Sequence, residues 1–346
     1  MSLDISTAKR LIQDHLQEGL LLVVGTGLSI AEGIPGMGQL ADHLKAVIPI
    51  KIAKAPDPGW ATVVEALDAG LHLEAAMGKA NLLPETVEFI VEATADLVGN
   101  SELEVFQRVL SGAATLPFTQ FVGHLFKAAK RFHLITPNYD RLVEFATEAA
   151  GIGVDTRFVG NLWGRSDPKL AADSQRESYA VGKNYLLRSL PHLCVYKPHG
   201  SLDWFNIDGK VVRCPVRYGK TPVIITPGAS KYRESFHFAF DDPRTAGNKA
   251  FGNATRLMFI GYGFNDDHLE SHICPDLKLS KPSIIIARTL SENAKKIILN
   301  SSSAQVLALS AVSNTDLRTK VSTSSGEELI VDEQLWNLDG FNKGVL

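Results

Sequence analysis

Short runs of consecutive apolar residues recur along this chain, and each run ends in glycine or in polar residues. A strand of a parallel sheet is buried on both faces and therefore lacks the alternation of a half-exposed strand. The pattern predicts a parallel sheet with polar side chains and glycines at the carboxyl ends of its strands, where α/β proteins bind ligands. The predicted strand segments are 20–24, 133–140, 194–201, 222–228, 257–263 and 283–288.

Between these runs, apolar residues return every three to four positions, which is the period of a helix. Residues 6–17 form one predicted helix, with Ser6 or Thr7 as its cap, and residues 39–48 form another that Pro49 breaks. A polar, turn-rich connection follows, and the helical period returns over residues 60–132, before the second strand. Residues 49–132 are therefore predicted to be a helical insertion. We therefore expect a Rossmann-like α/β fold, in which helices cover both faces of a parallel sheet and a helical insertion subdomain follows the first βα unit.

The remaining segments set the predicted domain limits. One domain covers residues 1–290; within it the segment 158–187 is polar, and residues 173–178 form an exposed excursion. Residues 291–346 form a C-terminal extension with a helix to Leu299, a strand near 306–309 and an apolar-polar end at 329–338. That extension packs either on the core or at an oligomer interface.

Composition changes this picture little. The 346 residues are 45% hydrophobic, which is enough for a large core, and the formal net charge of -3 makes no electrostatic case for nucleic-acid binding. Three scattered cysteines form no C-x-x-C pair. The longest aliphatic run near the N-terminus is too short to span a membrane, so a cytoplasmic protein is expected.

The first strand ends in a glycine-rich loop. Gly25 and Gly27 allow a tight turn whose N–H groups face a pyrophosphate at the start of the next helix. The dinucleotide fingerprint G-x-G-x-x-G is incomplete, because Ile30 occupies its third glycine position. A strand-to-helix turn without a ligand remains the alternative.

Four motifs in order resemble the sirtuin family in its divergent bacterial, sirtuin-like branch. Residues 25–29 (GTGLS) with 33–35 (GIP) are similar to G-A-G-x-S with G-I-P, and residues 136–140 (TPNYD) to T-Q-N-x-D. Residues 197–200 (KPHG) resemble the catalytic H-G segment, and 261–268 (GYGFNDDH) the later glycine segment of that branch. The resemblance implies NAD as substrate, with Asn138, Asp140 and His199 catalytic and with Gly25, Thr26, Gly27, Ser29, Pro35, Gly261, Gly263 and Asn265 binding NAD.

Two departures separate the chain from the protein deacetylases of that family. Gly36-Met-Gly38 stands where they carry D-F-R after G-I-P, and both zinc-binding C-x-x-C pairs are missing. The divergent branch is associated with NAD hydrolysis in antiphage defence. The resemblance therefore implies an NAD glycohydrolase, a homo-oligomer and a partner protein such as a HerA-family ATPase. An NAD-dependent deacylase and a non-catalytic nucleotide-sensing module are the alternatives.

Each candidate side chain suits a step of nicotinamide release, in which positive charge develops on the ribose. His199 has an ordinary pKa near neutrality and can accept a proton, or it bonds to a turn. Asn138 can hold a ribose hydroxyl and a water together, or it forms an Asx turn. Asp140 accepts from the carboxamide or caps the helix that begins at Arg141, and Ser29 bonds a phosphate or a ribose or merely starts a helix.

A metal site is the competing interpretation of one segment. His268 and His272 are four apart, and Cys274 follows them. Glu270 lies between the histidines, so H-E-x-x-H is not met, and a helix capped by Asn265-Asp-Asp explains the segment. We therefore expect no metal.

Overall fold

A nine-stranded sheet forms the centre of the protein. The computed structural model describes residues 4–181, 184–217, 219–227, 237–266, 269–270, 278–301, 305–313 and 316–346. The strands are β1 (Leu20–Val24), β2 (Arg131–Ile135), β3 (Gly153–Asp155), β4 (Phe158–Val159), β5 (Gly164–Ser166), β6 (Arg176–Val181), β7 (Asn184–Ser189), β8 (His192–Tyr196), β9 (Trp204–Ile207), β10 (Lys210–Arg213), β11 (Arg256–Ile260), β12 (Ser283–Ile286), β13 (Val306–Ala311), β14 (Thr319–Thr323) and β15 (Glu328–Val331).

The central sheet has the order β15-β14-β13-β12-β11-β1-β2-β8-β3. Strands β13 to β3 in this order are parallel, and β14 and β15 join antiparallel at one edge. Alternate residues of β1 enter different cores: Leu22 faces one layer of helices and Val23 the other. Because both faces are covered, β1 needs an uninterrupted apolar sequence.

Helices pack on both faces of this sheet, which confirms the predicted Rossmann-like α/β class. Among the described residues, no helix has the length and apolar character needed to cross a membrane. The helices are α1 (Ile5–His15), α2 (Thr26–Ala31), α3 (Met37–Lys51), α4 (Pro58–Asp68), α5 (Leu73–Gly78), α6 (Pro84–Leu110), α7 (Pro117–Leu125), α8 (Leu142–Ala149), α9 (Pro168–Ser174), α10 (His237–Asn253), α11 (Glu292–Asn300) and α12 (Leu338–Val345).

Two predicted helix ends were wrong. Asp4 caps α1 through a 2.7 Å bond from the Thr7 backbone N–H, so neither Ser6 nor Thr7 is the cap. Helix α3 continues through Pro49 to Lys51. Pro49 lacks the N–H that would bond to the carbonyl of Lys45, and the helix ends two residues after it.

Helices fill the chain between β1 and β2. Residues of α3, α4, α5 and the first half of α6 enclose a core separate from the central sheet, and its buried members extend from Leu40 to Ala93. Helix α7 instead packs its Phe118 and Phe121 into the main core. The separate core thus begins before residue 49 and ends well before residue 132.

A second sheet takes β4 and β5 from the polar segment 158–187 and β9 and β10 from the chain after β8. Its antiparallel order is β4-β5-β10-β9, and β6 pairs with β7 in a separate exposed hairpin. The predicted strand at 222–228 was wrong over its described residues, 222–227: only Ile224 forms an isolated bridge, to Gly200. A run of apolar residues indicates that the segment is buried, but it does not by itself indicate that the segment pairs with another strand.

Candidate active site

The glycine-rich loop after β1 lies directly against the segment after β11. Gly25 N donates to Ile260 O and Gly27 N to Gly261 O, both at 2.9 Å. A Cβ on Gly25 would lie 2.5 Å from Gly261 O, so a side chain is excluded by backbone. The N–H groups of Gly25 and Gly27 themselves therefore join the two loops. Gly261 adopts φ +59, which favours glycine.

Ser29, Asn138 and Asp140 meet in one buried cluster at the carboxyl ends of β1 and β2. Asn138 Nδ2 donates to Ser29 Oγ at 2.9 Å and to Gly25 O at 3.0 Å. Ser29 Oγ donates in turn to Asp140 Oδ2 at 2.7 Å. The cluster joins residues about a hundred positions apart, so it depends on β1 and β2 being neighbours in the sheet.

The structure shows the predicted helix cap at Asp140, which is compatible with a second role, and it excludes the turn predicted as the alternative for Asn138. Asp140 Oδ1 accepts the Leu142 backbone N–H at 3.2 Å, at the start of α8, so Asp140 does cap that helix. The Asx turn predicted as the alternative for Asn138 is not formed: its amide donates across to the β1 loop, and its backbone N–H bonds to Thr136 Oγ1. Asn138 Oδ1 is buried and has no hydrogen-bond partner within the described ranges.

His199 lies on a separate loop after β8. Its Nε2 is 3.2 Å from Asp266 Oδ2, and its carbonyl oxygen accepts the Ile225 backbone N–H at 2.9 Å. Gly200 follows in the left-handed region at φ +81, and a Cβ there would lie 2.1 Å from Val223 O. The H-G pair therefore requires glycine for backbone packing, and the histidine ring remains partly exposed.

Tyr139 connects the two loops. Its hydroxyl donates to Ile225 O, and the backbone N–H of the same Ile225 donates to His199 O. Burial, reinforced by the negative charges of Asp266 and Glu74, raises the pKa of Tyr139 above its ordinary value. Its phenol therefore stays a neutral donor and holds the His199 loop beside residues 138–140.

Sequence reasoning missed a buried ion pair beneath the cluster. Lys197 Nζ lies 3.0 Å from Glu144 Oε1 and also donates to the carbonyl oxygen of Asp140. Both side chains are almost fully buried, at 3% and 5% exposed. A lysine directly after an apolar strand, in KPHG, was the signal, since a buried lysine needs a partner.

A second buried pair anchors the start of α8. Glu102 of α6 accepts two hydrogen bonds from Arg141 Nε, at 3.2 and 3.1 Å, and also accepts the Arg141 backbone N–H. Burial raises the pKa of the Glu102 carboxyl, against the opposing effect of Arg141. This pair attaches the long helix of the inserted segment to the residue that follows Asp140.

Four further residues predicted to bind NAD, Thr26, Pro35, Gly263 and Asn265, lie in other surroundings. Thr26 is exposed at the start of α2, and Pro35 lies half-buried between α2 and α3. Gly263 O accepts from Ser291 Oγ, and Asn265 Oδ1 accepts from Asn293 Nδ2 at 3.4 Å. Both therefore contact the beginning of α11.

The described ranges contain no cluster of three or more histidine, cysteine, aspartate or glutamate side chains suited to a metal ion. His268, His272 and Cys274 lie outside the described residues. Glu270 accepts the Asp266 backbone N–H at 2.9 Å, and Asp266 Oδ1 accepts the Leu269 N–H at 3.2 Å. These reciprocal bonds form the capping arrangement that the sequence predicts.

Comparison with known proteins finds a family match over just under half of the chain. Residues 133–301 match the family model described as SIR2-like domain, and that range holds Asn138, Asp140 and His199. No curated protein matches the chain. One similar solved structure is that of Sir2Tm bound to a propionylated peptide, with 10% identity, a TM-score of 0.35, and coverage of 83% of this chain and 90% of that chain.

Proposed function

We propose that this protein is an NAD glycohydrolase that cleaves NAD to nicotinamide and ADP-ribose. The observation that carries the proposal is the orientation of Asn138. Its Nδ2 is held by Gly25 O and Ser29 Oγ, so Oδ1 points away from both as a buried acceptor with no partner among the described residues. A buried acceptor without a partner is costly, and a donor on a bound ligand, such as a ribose hydroxyl, would satisfy it.

The roles of the three catalytic residues follow from their surroundings. Asn138 orients a ribose hydroxyl through Oδ1, and Asp140 fixes Ser29 and α8 through its two oxygens. His199, beside the Asp266 carboxylate, accepts a proton from a ribose hydroxyl or from the attacking water. Water adds to the ribose carbon that carries nicotinamide, the bond from that carbon to nicotinamide breaks, and one proton is released.

Hydrolysis is favoured over deacylation by the sequence around the site. The segment after Pro35 is Gly36-Met-Gly38, which lacks the D-F-R that accompanies acyl-lysine binding in the resembling deacetylases. Deacylation needs a second substrate channel, whereas hydrolysis needs water only. A non-catalytic sensor would need neither His199 nor its pairing with Asp266.

The cellular role in this proposal is NAD depletion in antiphage defence. Unrestrained NAD hydrolysis is toxic, so the activity would be controlled by assembly into a homo-oligomer and by a partner such as a HerA-family ATPase. The resemblance supports this part of the proposal, and both assemblies stay predictions. Light scattering of the purified protein, alone and with such an ATPase, measures them directly.

The experiment that tests the activity is incubation of purified protein with NAD, followed by chromatographic separation of the products. Free ADP-ribose formed without peptide supports hydrolysis, and an O-acyl-ADP-ribose formed only with an acyl-lysine peptide supports deacylation. Asn138→Ala and His199→Ala should each lower turnover by about a hundredfold or more. Asn206→Ala, at an exposed position of β9, is the control and should keep full turnover.

An unaltered rate in either folded variant, checked by circular dichroism, would contradict the site assignment. NAD that binds but stays intact in the unsubstituted protein, with the partner present, would instead support the sensor.

A further inference from the structure

A cavity of about 670 Å³ lies between the four-stranded sheet and the first half of α10. Its lining comes from β4, β5, β9 and β10 on one side and from Ala239, Asp242 and Pro243 on the other. None of Ser29, Asn138, Asp140 and His199 lines it. Its volume is within the usual range of small-molecule sites, about 300–1,000 Å³.

Aromatic side chains form one wall of the cavity. Phe158 and Trp204 pack with ring centroids 5.2 Å apart at 48°, supported by a buried cluster that includes Val211, Val223 and Phe240. Trp163 stands at the opening of the cavity and is 60% exposed. An exposed indole beside a cavity offers a flat face on which a planar ring can stack.

Cations surround these rings. Arg165 and Lys210 line the cavity, and the Arg165 side chain is 68% exposed with Asp167 3.8 Å away. The two groups form an ion pair that is longer than a hydrogen bond. A guanidinium carries five N–H donors, so Arg165 can bind a second anion beside Asp167. Asp208, at the β9–β10 turn, adds an acceptor to the lining.

Arg157 lines the cavity and bonds to Asp242 of α10. It is a non-glycine residue at φ +70, a conformation that such residues rarely adopt. Its Nη2 donates to Asp242 Oδ1 at 2.8 Å, and its backbone N–H donates to Asp155 Oδ1 at 2.8 Å. The arginine thus connects the end of β3 to α10, and both Arg157 and Asp242 line the cavity.

We propose that this cavity is a binding site for a purine nucleoside phosphate, distinct from the proposed NAD site. The purine stacks on Trp163, the phosphate binds the Arg165 and Lys210 cations, and the Asp208 carboxylate accepts an N–H of the ring. The three kinds of group match the three parts of one ligand: a π face, an anion and a ring edge with donors. This site goes beyond the proposed hydrolysis and does not depend on it.

Calorimetric titration with GMP tests the proposal, because guanine has N–H donors for Asp208 and GMP is not a fragment of NAD. We expect saturable binding at one site per chain, with guanosine and ribose 5-phosphate at least tenfold weaker. Trp163→Ala and Arg165→Ala should each weaken GMP binding at least tenfold. Both side chains are largely exposed, so both variants should fold.

Arg188→Ala is the matched control, because Arg188 is an equally exposed arginine on the β6–β7 hairpin, outside the cavity. It should bind GMP like the unsubstituted protein. Absence of GMP binding at millimolar concentration, or GMP binding by the two cavity variants that equals binding by the unsubstituted protein, would overturn the proposal. None of these outcomes depends on NAD turnover, so a failed hydrolysis assay leaves this test intact.

Discussion

Lys197 shows how one residue can support a site without touching a ligand. Its ammonium donates to the Asp140 carbonyl and pairs with Glu144 at 3.0 Å, so it connects the end of β8 to the residues before α8. Glu144 Oε2 is buried with no other partner in the described part of the chain. Lys197 is therefore a positioning residue, and its loss would leave Glu144 buried and unpaired.

Replacing Lys197 separates stability from positioning. Lys197→Met should lower the free energy of unfolding by roughly 3–5 kcal/mol, because removing one partner of a buried pair strands the other charge. The double variant Lys197→Met/Glu144→Leu removes both charges and should recover most of that loss. Urea denaturation of the three proteins measures both effects.

The activity of the double variant tests the positioning role. Asp140 lacks its donor there, so kcat should stay at least tenfold low even where stability returns, with a smaller change in KM. Recovery of kcat together with stability would show that the pair is structural only. Lys197→Arg, which keeps the charge, is the conservative comparison.

Between elements, His15 ties the end of α1 to the central sheet. Its Nε2 donates to the carbonyl oxygen of Leu257 in β11 at 2.8 Å, in a buried position. Desolvation lowers the pKa of His15 from 6.5 to about 4, and the same cause lowers the pKa of His133 in β2 to about 4. Both imidazoles are therefore neutral in the folded protein at neutral pH.

This burial predicts a loss of stability in mild acid. The unfolded chain binds protons at these histidines below about pH 6.5, whereas the folded chain binds them only near pH 4, so stability is complete above 6.5 and falls as pH decreases through that window. Proton binding to each histidine of the unfolded chain should lower the free energy of unfolding by on the order of 2 kcal/mol at pH 5. Urea denaturation at pH 7, 6 and 5 measures the slope.

Replacing His15 tests whether this residue causes the change of stability with pH. His15→Gln keeps a donor for Leu257 O but cannot titrate, so the decrease between pH 7 and 5 should be smaller in this variant. His72→Gln, at the exposed start of α5, should keep the original slope. Identical slopes in all three proteins would mean that His15 titrates alike in the folded and unfolded states.

For the molecule as a whole, residues 291–346 complete the central fold. Strand β13 pairs with β12, β14 and β15 extend the edge, and α12 packs Phe341 against Phe121 of α7 with centroids 6.2 Å apart. This extension was predicted to pack either on the core or at an oligomer interface, and these contacts are contacts with the core. Leu335 is completely buried, whereas Ile330 is 53% exposed.

The contrast between these two residues is testable. Leu335→Ala should lower the free energy of unfolding by roughly 2–5 kcal/mol, because it leaves a cavity in the main core. Ile330→Ala should change it by less than about 0.5 kcal/mol. Denaturation with light scattering of both variants is the measurement. Dissociation of an oligomer by Ile330→Ala, with stability otherwise unchanged, would instead place an interface on β15.

The sequence by itself determined the strands of the parallel sheet, except the short β3 at its edge, and the loops at their carboxyl ends. A strand covered on both faces needs consecutive aliphatic residues, so β1, β11 and β12 are recognisable without knowledge of their neighbours. Capping is equally local: Asp266 and Glu270 are four residues apart, and their reciprocal bonds follow from that spacing.

Only the tertiary structure decided which polar groups meet. Ser29 and Asp140 are 111 residues apart, and Lys197 and Glu144 are 53 apart. His199 follows β8 and Asp266 follows β11, and two other strands, β2 and β1, lie between β8 and β11 in the sheet. The same holds for residues 222–227, whose apolar character is satisfied by packing without a ladder. Hydrophobic pattern records how deeply a residue is buried, whereas the identity of its partner depends on strand order, which no local period encodes.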